Sequence, residues 1–355
     1  MHMADALISP TVGGIMWAAT AGLTVYSAGK LKADTDESKA PLMGVLGAFI
    51  FAAQMINFTI PFTGSSGHLG GGLILAILLG PHAAFLTMAS ILTVQALFFA
   101  DGGLLALGCN IFNLGFFPCF IAYPLIYKKI AGDRPTRGDI FMASMAGSIF
   151  GLQMGAFAVV LETLLSGITD LPFSAFVILM QPIHLAIGIV EGFATAAVVG
   201  YILQTRPEIL GMADSMHRAG SRSFKSVLAG FLAVTVIVGG ALSWFASANP
   251  DGLEWAMLHT SGKEELDAPH DGIHSLLARV QEKTSILPDY SFKKSEPGGA
   301  AQEEAAAADP QPVPEESWPA VDKGTTTSGL VGAGMTLLLA GLLGFGIRRL
   351  QAGNQ

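Results

Sequence analysis

Met1 and His2 carry the chemistry most readily read from this chain. A histidine at position two can chelate a metal ion through the terminal amine, its own amide nitrogen and its imidazole, in fused five- and six-membered rings. Those three nitrogens share a plane and leave a fourth corner open, and flat nitrogen ligation suits Ni²⁺ or Cu²⁺. His68 is the natural candidate for the fourth corner. Histidine is too large for routine removal of the methionine before it, so Met1 is expected to persist. No basic stretch and small-residue cleavage site mark a leader peptide. Alone, a histidine so near a terminus is usually solvated and frayed. Here the chain runs almost at once into an apolar helix, which tethers it at a membrane boundary.

The composition is that of a membrane protein: 51% hydrophobic residues, only 13% charged, and 43 glycines that suit close helix packing in lipid. A spanning helix needs roughly 20 apolar residues. Nine hydrophobic segments are expected, at about 9–30, 41–60, 69–80, 82–100, 104–127, 140–166, 172–204, 226–247 and 328–347. The third is short, and Gly80-Pro81 divides it from the fourth, so a broken or tilted helix is expected there.

Thirteen of the 19 Lys and Arg then fall on one side: Lys30, Lys32 and Lys39; Lys128, Lys129, Arg134 and Arg137; Arg206, Arg218, Arg222 and Lys225; Arg348 and Arg349. By the positive-inside rule that side is cytoplasmic. The N-terminus, Pro61 to His68, Asp101 and residues 248–327 are then outside, so the topology places the proposed ligands on one face without reference to metal. The remaining six basic residues lie in 248–327 with 15 Asp and Glu. This stretch reads as an acidic linker whose histidines, His259, His270 and His274, are incidental. Ile273 to Val280 fits a small helix, and Glu296 to Pro319, rich in Pro, Ala and Glu, reads as a tether.

The loop from Pro61 to Gly72 is glycine-rich and lets a second segment approach closely, as a terminus folding back into the bundle would require. Other polar groups rank lower as ligands. His82 falls at the cytoplasmic end of its segment. His184 and Glu191, seven residues apart, share a helical face and read as a structural or coupling pair. Glu162 and Asp170 are expected to be solvated. Asn57, Gln95, Asn110 and Asn113 suit hydrogen bonds between helices or support of the ligands. Cys109 and Cys119 read as buried free thiols. There is no phosphate loop, nucleophile elbow or HExxH. An intramembrane metal-dependent enzyme is therefore a remote alternative, and a scaffold with an acidic docking loop is another.

Three stretches resemble a known family: Met1 to Pro10, Ser66-Gly67-His68-Leu69-Gly70-Gly71-Gly72, and Gln95 to Leu104 with its Ala100-Asp101-Gly102-Gly103. They are similar to the nickel/cobalt substrate-binding (S) components of energy-coupling factor transporters, the NikM/CbiM type. Residues 226–350, with Pro250-Asp251-Gly252-Leu253-Glu254, resemble the NikN-type accessory subunit, as in fused NikMN proteins. The family's opening usually carries Pro and Gly where Ala4 and Ala6 stand here.

The resemblance implies an all-α polytopic fold. A seven-helix S-component domain would occupy 1–205, a cytoplasmic linker 206–225, and an accessory domain 226–350 with two further helices flanking the external loop 248–327. It implies a near-square-planar N4 site from the Met1 amine, the His2 amide and imidazole, and the His68 imidazole. Nickel is the expected substrate and cobalt the alternative, with no catalytic cofactor. The expected partners are a membrane coupling (T) protein, two cytosolic ATPase subunits that hydrolyse ATP, and the lipid of a bacterial inner membrane; no nucleic acid is expected. The N-terminus would lie outside and the C-terminus in the cytoplasm.

Overall fold

The computed structural model describes residues 2–32, 38–210, 223–293 and 318–352. It is helical almost throughout. Five helices are long and apolar enough to cross a membrane: Pro81–Phe99, Leu107–Ala131, Arg137–Ser166, Phe173–Thr205 and Lys323–Arg349. Two shorter apolar helices accompany them, α2 (Lys39–Gln54) and α9 (Phe224–Gly240), with α1 (Pro10–Lys32) alongside. The only strands among the described residues, β1 (Phe58–Ile60) and β2 (Ser65–Gly67), pair antiparallel with Thr59 opposite Ser66.

The third hydrophobic segment is not a span by itself. It holds α3 (Gly72–Leu79), eight residues long and wholly buried, broken from α4 (Pro81–Val94) at Gly80-Pro81. Eight residues rise only about 12 Å, well short of a bilayer core of about 30 Å. Residues 69–71 lead into α3 as irregular backbone, which is tolerated among apolar helices only when protein satisfies its polar groups. Gln54 and Glu191 do so: Gln54 Nε2 donates to the Gly70 carbonyl at 2.9 Å, and Glu191 Oε2 accepts from Gly70 N–H at 2.7 Å.

The fifth segment is also irregular. Between α5 (Leu107–Ile111) and α6 (Lys128–Ala131) the chain is π-helical over Phe112–Tyr127, where Pro118 and Pro124 remove two donors. Beside it stand α7 (Arg137–Ser166) and α8 (Phe173–Thr205), the most extensively packed pair of elements. Thr136 and Asp139 close a capping box at the start of α7, which Gly167 ends in a left-handed conformation. Gly188 and Gly192 lie four residues apart on α8, where added Cβ atoms would stand 2.9 Å from Ile149 Cα and Met145 Cα. This small-xxx-small seam lets the two backbones meet.

The stretch 248–293 is folded rather than a solvated linker. It forms α10 (Gly252–Ser261) and α11 (Gly272–Thr284), the latter covering the small helix expected there. Asp251 caps α10 by accepting from Leu253 and Glu254 N–H at 2.7 and 2.9 Å, and Glu254 returns a bond to Asp251 N–H. Both helices lie against the end of the bundle that holds the N-terminal segment. α12 (Lys323–Ala352) then packs back on α2 and α9. Most of the expected tether, residues 294–317, lies outside the described residues.

Candidate metal centre

The first residues fold into the bundle and are locked there. Met3 is fully buried; its N–H donates to Asn110 Oδ1 at 2.8 Å, and its carbonyl accepts from Asn110 Nδ2 at 3.2 Å and Gly103 N–H at 2.9 Å. Two residues on, Asp5 Oδ1 accepts from Leu105 and Ala106 N–H. Met1 lies outside the described residues.

His2 is thereby set beside the two loops that the hydrophobic pattern places on one face. Its ring stacks on that of His68, with centroids 5.0 Å apart and planes 9° from parallel. His68 Nδ1 lies 3.0 Å from the Leu69 carbonyl, which can only accept, so Nδ1 carries the hydrogen and Nε2 keeps its lone pair for a ligand. Burial, then the charge of neighbours including His2, pushes the His68 pKa from 6.5 down to about 4. The ring is therefore neutral over the physiological range, as a metal ligand must be.

His2 Nδ1 lies 3.0 Å from Asp101 Oδ1, while its Nε2 is buried without a hydrogen-bond partner. Asp101 follows Ala100 (φ 56°) in a tight turn, and Tyr290 O–H donates to its other oxygen. Burial alone would raise the Asp101 carboxyl; the His2 ring and the hydrogen bonds from His2 and Tyr290 outweigh it and hold the pKa down at about 2. Tyr290 moves the opposite way, raised by burial and then by the negative charge of Asp101. A fused chelate through the His2 amide uses Nδ1, the atom that Asp101 now engages. The two rings stand face to face, so sharing one ion requires Nδ1 to leave Asp101.

The 248–293 stretch closes over this centre. Ser66 N–H donates to the Pro250 carbonyl at 2.8 Å, Trp255 Nε1 to the Thr63 carbonyl at 2.9 Å, and Gln281 Nε2 to the carbonyls of Ala96 and Gly102. His274 is buried, not incidental: it is 5% exposed, with Nε2 2.9 Å from the Ile8 carbonyl. His259 and His270 are exposed. Beneath the covering lies a cavity of about 790 Å³ that reaches both His2 and His68. Asp101, Asp251, Glu254, Glu265, Asp289 and Asp322 line it, and among the described residues no Lys or Arg does. Burial and then the charge of Asp251 push Glu254 up to about 7.

The remaining candidates fall elsewhere. His82 packs edge-on against Tyr26 near the far end of α1. Glu162 is 6% exposed and accepts from Asn113 Nδ2 at 2.8 Å, contrary to the expectation of a solvated residue, because Asn113, itself buried beside Met3, packs over it. Asp170 is exposed. His184 and Glu191 do not pair: His184 Nδ1 bonds the Met180 carbonyl at 2.8 Å, and Glu191 bonds Gly70. Gln95 Nε2 donates to Gln54 Oε1, and Asn110 and Asn113 bond Met3 and Glu162, so these side chains knit the segments together; Asn57 contributes its main-chain carbonyl, which accepts from Ser247 N–H. Cys109 and Cys119 are free and buried. Sequence reading gave no role to Tyr290, because it sits in no hydrophobic pattern and acts across 189 residues of chain, on Asp101.

Residues 2–209 match the family model described as the cobalt uptake substrate-specific transmembrane region, CbiM. The chain belongs to the CbiM family. Residues 225–349 match a second model, the PDGLE domain, named for the motif that here caps α10. The chain is 31% identical to the fused nickel transport protein NikMN of Rhodobacter capsulatus over 82% of its own length and 88% of that protein's. It is 27% identical to the cobalt transport protein CbiM of Sorangium cellulosum, over 59% of this chain and 94% of that one. A crystal structure of a truncated transition metal transporter superposes with a TM-score of 0.51 at 31% identity, covering 57% of this chain and 99% of that chain. CbiM membership and the apolar helices make this a multi-pass membrane protein of a metal-transport family.

Proposed function

We propose that this CbiM-family chain is the substrate-capturing component of an energy-coupling factor importer for Ni²⁺, with Co²⁺ as the alternative substrate. The ion is held by four nitrogens: the Met1 amine, the His2 amide and imidazole, and the His68 imidazole. One observation carries the reading: His2 and His68, far apart in sequence, stand ring against ring at 5.0 Å below an acidic cavity. Among the described residues no three His, Cys, Asp or Glu side chains group to hold an ion, so two imidazoles leave a set that main-chain nitrogen would complete. The carboxylates of the cavity favour cations. This end of the bundle faces outward, and a separate coupling protein with two ATPase subunits supplies the energy. Loading exchanges Asp101 for the ion at His2 Nδ1 and releases protons from the amine and amide, so binding weakens in acid. Zn²⁺, which prefers a tetrahedron, fits the planar set poorly.

Elemental analysis of purified protein tests this. Wild-type chain is expected to retain one nickel per molecule with a yellow, diamagnetic absorption band. Protein carrying one added residue before Met1, or His2→Ala, should retain none while staying folded. Intact mass is the control that reads whether the working protein begins with a free Met1. Stoichiometric nickel in both variants would overturn the proposal.

A further inference from the structure

Helix α11 sorts its residues onto three arcs. Each residue turns the helix by about 100°. His274, Ala278 and Gln281 share one arc and line the acidic cavity. Ser275, Arg279 and Glu282 share a second, polar arc. Ile273, Leu276 and Val280 fall on the third and are 40%, 51% and 40% exposed. A helix that only roofed the cavity would carry polar residues there, so the bare apolar arc calls for a partner.

Beside that arc runs a groove of about 550 Å³, with Pro10, Gly14 and Trp17 of α1 on one wall and Ile273 and Leu277 of α11 on the other. Thr93 and Trp17 are the polar side chains of its lining among the described residues. Both are already satisfied: Thr93 O–H donates to the Ala89 carbonyl at 2.7 Å, and Trp17 Nε1 to the Leu104 carbonyl at 3.0 Å. The groove therefore suits an apolar occupant. The adjoining surface of α1 is lipid-facing, with Ile15 and Val25 exposed in a multi-pass membrane protein.

The depth fits a membrane interface. The 23 residues of α1 rise about 35 Å, enough to cross a bilayer core of about 30 Å, so Pro10 falls near one boundary and Lys30 and Lys32 near the other. Gly14 and Trp17 then lie about 6 and 11 Å along α1 from Pro10. An interfacial helix buries its apolar face by about 5–10 Å, with basic residues beside that face. Arg279 and Lys283 flank the Leu276 side of the apolar arc, where lipid phosphates would meet them.

We propose that α11 lies in the membrane interface with Ile273, Leu276 and Val280 in lipid, and that the groove between α11 and α1 holds an acyl chain of a phospholipid whose headgroup meets Arg279 and Lys283. The bilayer then acts as a wall for the covering. The opposite side of α11 bonds the bundle through Gln281, to the Ala96 and Gly102 carbonyls, and through His274, at the Ile8 carbonyl. Lipid holding α11 down thus holds the roof over His2 and His68. This does not depend on which ion the centre takes.

Two measurements on the purified full chain test the proposal. Nitroxide labels are placed at Leu276→Cys and, separately, at Glu282→Cys, in nanodiscs of phosphatidylcholine and phosphatidylglycerol. Cys109 and Cys119 are buried, so wild-type chain serves as the blank. The ratio of collisions with oxygen to collisions with a water-soluble chromium chelate is expected to be at least fivefold higher at position 276 than at 282. Equal ratios would overturn the proposal. Shielding of position 276 from both reagents would also overturn it, by showing that protein covers the arc. Native mass spectrometry reads the groove. Wild-type chain is expected to retain one phospholipid, and Gly14→Leu, at a position with nothing within 4 Å, should cut that retention at least fivefold. Ile273→Trp fills the groove from the other wall should Gly14→Leu fail to fold. No lipid on wild-type chain, or equal retention in a folded variant, would refute the acyl-chain site.

Discussion

One side chain, Asn110, fastens the main chain of Met3 in the docked N-terminal segment. Asn110 is 1% exposed and holds both polar groups of Met3, at 2.8 and 3.2 Å. In Asn110→Ala the Met3 carbonyl keeps Gly103 as its donor, but the Met3 N–H loses its acceptor and is left orphaned in a fully buried site. An unsatisfied buried donor costs about 1–3 kcal/mol, and the lost second bond adds about 1. The undocked form, invisible in the native protein, gains by that amount. Nickel affinity is diluted by the fraction of chains left undocked, so at tenfold per 1.4 kcal/mol a cost of about 2–4 kcal/mol should weaken binding by up to several hundred-fold. Hydrogen exchange at Met3 reads the docking directly, and nickel titration reads its consequence. The two should change together, with exchange speeding first if docking has stability to spare. A folded variant with wild-type exchange at Met3 and wild-type nickel affinity would refute the idea that Asn110 fastens the ligand-bearing segment.

Further outcomes follow from the same geometry. The His68 pKa, lowered from 6.5 to about 4, means that the unfolded chain binds a proton the folded chain refuses between those values. The stability of the metal-free protein should therefore be full above pH 6.5, fall towards pH 4 and level off below it from this group. The full shift corresponds to roughly 3 kcal/mol, reduced to about 1–2 by solvent reaching the partly exposed ring. Thermal unfolding in detergent should show that slope flattened in His68→Gln; an unchanged slope counts against it. Gly192→Leu forces a side chain into the α7 backbone and should destabilise by about 1–3 kcal/mol, or lower the yield of folded protein, whereas the same change at Gly200, which meets nothing within 4 Å, should be mild. Tyr290→Phe removes one of the two groups holding Asp101 and should loosen the covering over the cavity by about 1 kcal/mol, read as faster proteolysis between α11 and α12.

Much of the membrane architecture was legible because lipid leaves few alternatives. A run of about 20 apolar residues must be a helix, as α7, α8 and α12 are, and the small residues Gly188 and Gly192 announce where helices meet. The break at Gly80-Pro81 was legible, but the irregular backbone before α3 was not, since the groups that make it tolerable, Gln54 and Glu191, come from distant helices. The same separation hid the fate of Glu162, whose solvation depended on what would cover it, and the folding of 248–293, whose acidic composition resembles a linker.

Residue types alone set the candidate ligands and the membrane class of this protein: imidazoles at positions 2 and 68, and apolar runs long enough for lipid. Tertiary structure alone decided that His2 is held by Asp101, that Asp101 is held by Tyr290, and that the accessory stretch roofs an acidic cavity over both histidines. The division has a physical cause. Hydrophobicity and ligand identity are properties of single residues and short runs, whereas burial and hydrogen-bond partnership belong to pairs that only folding brings together.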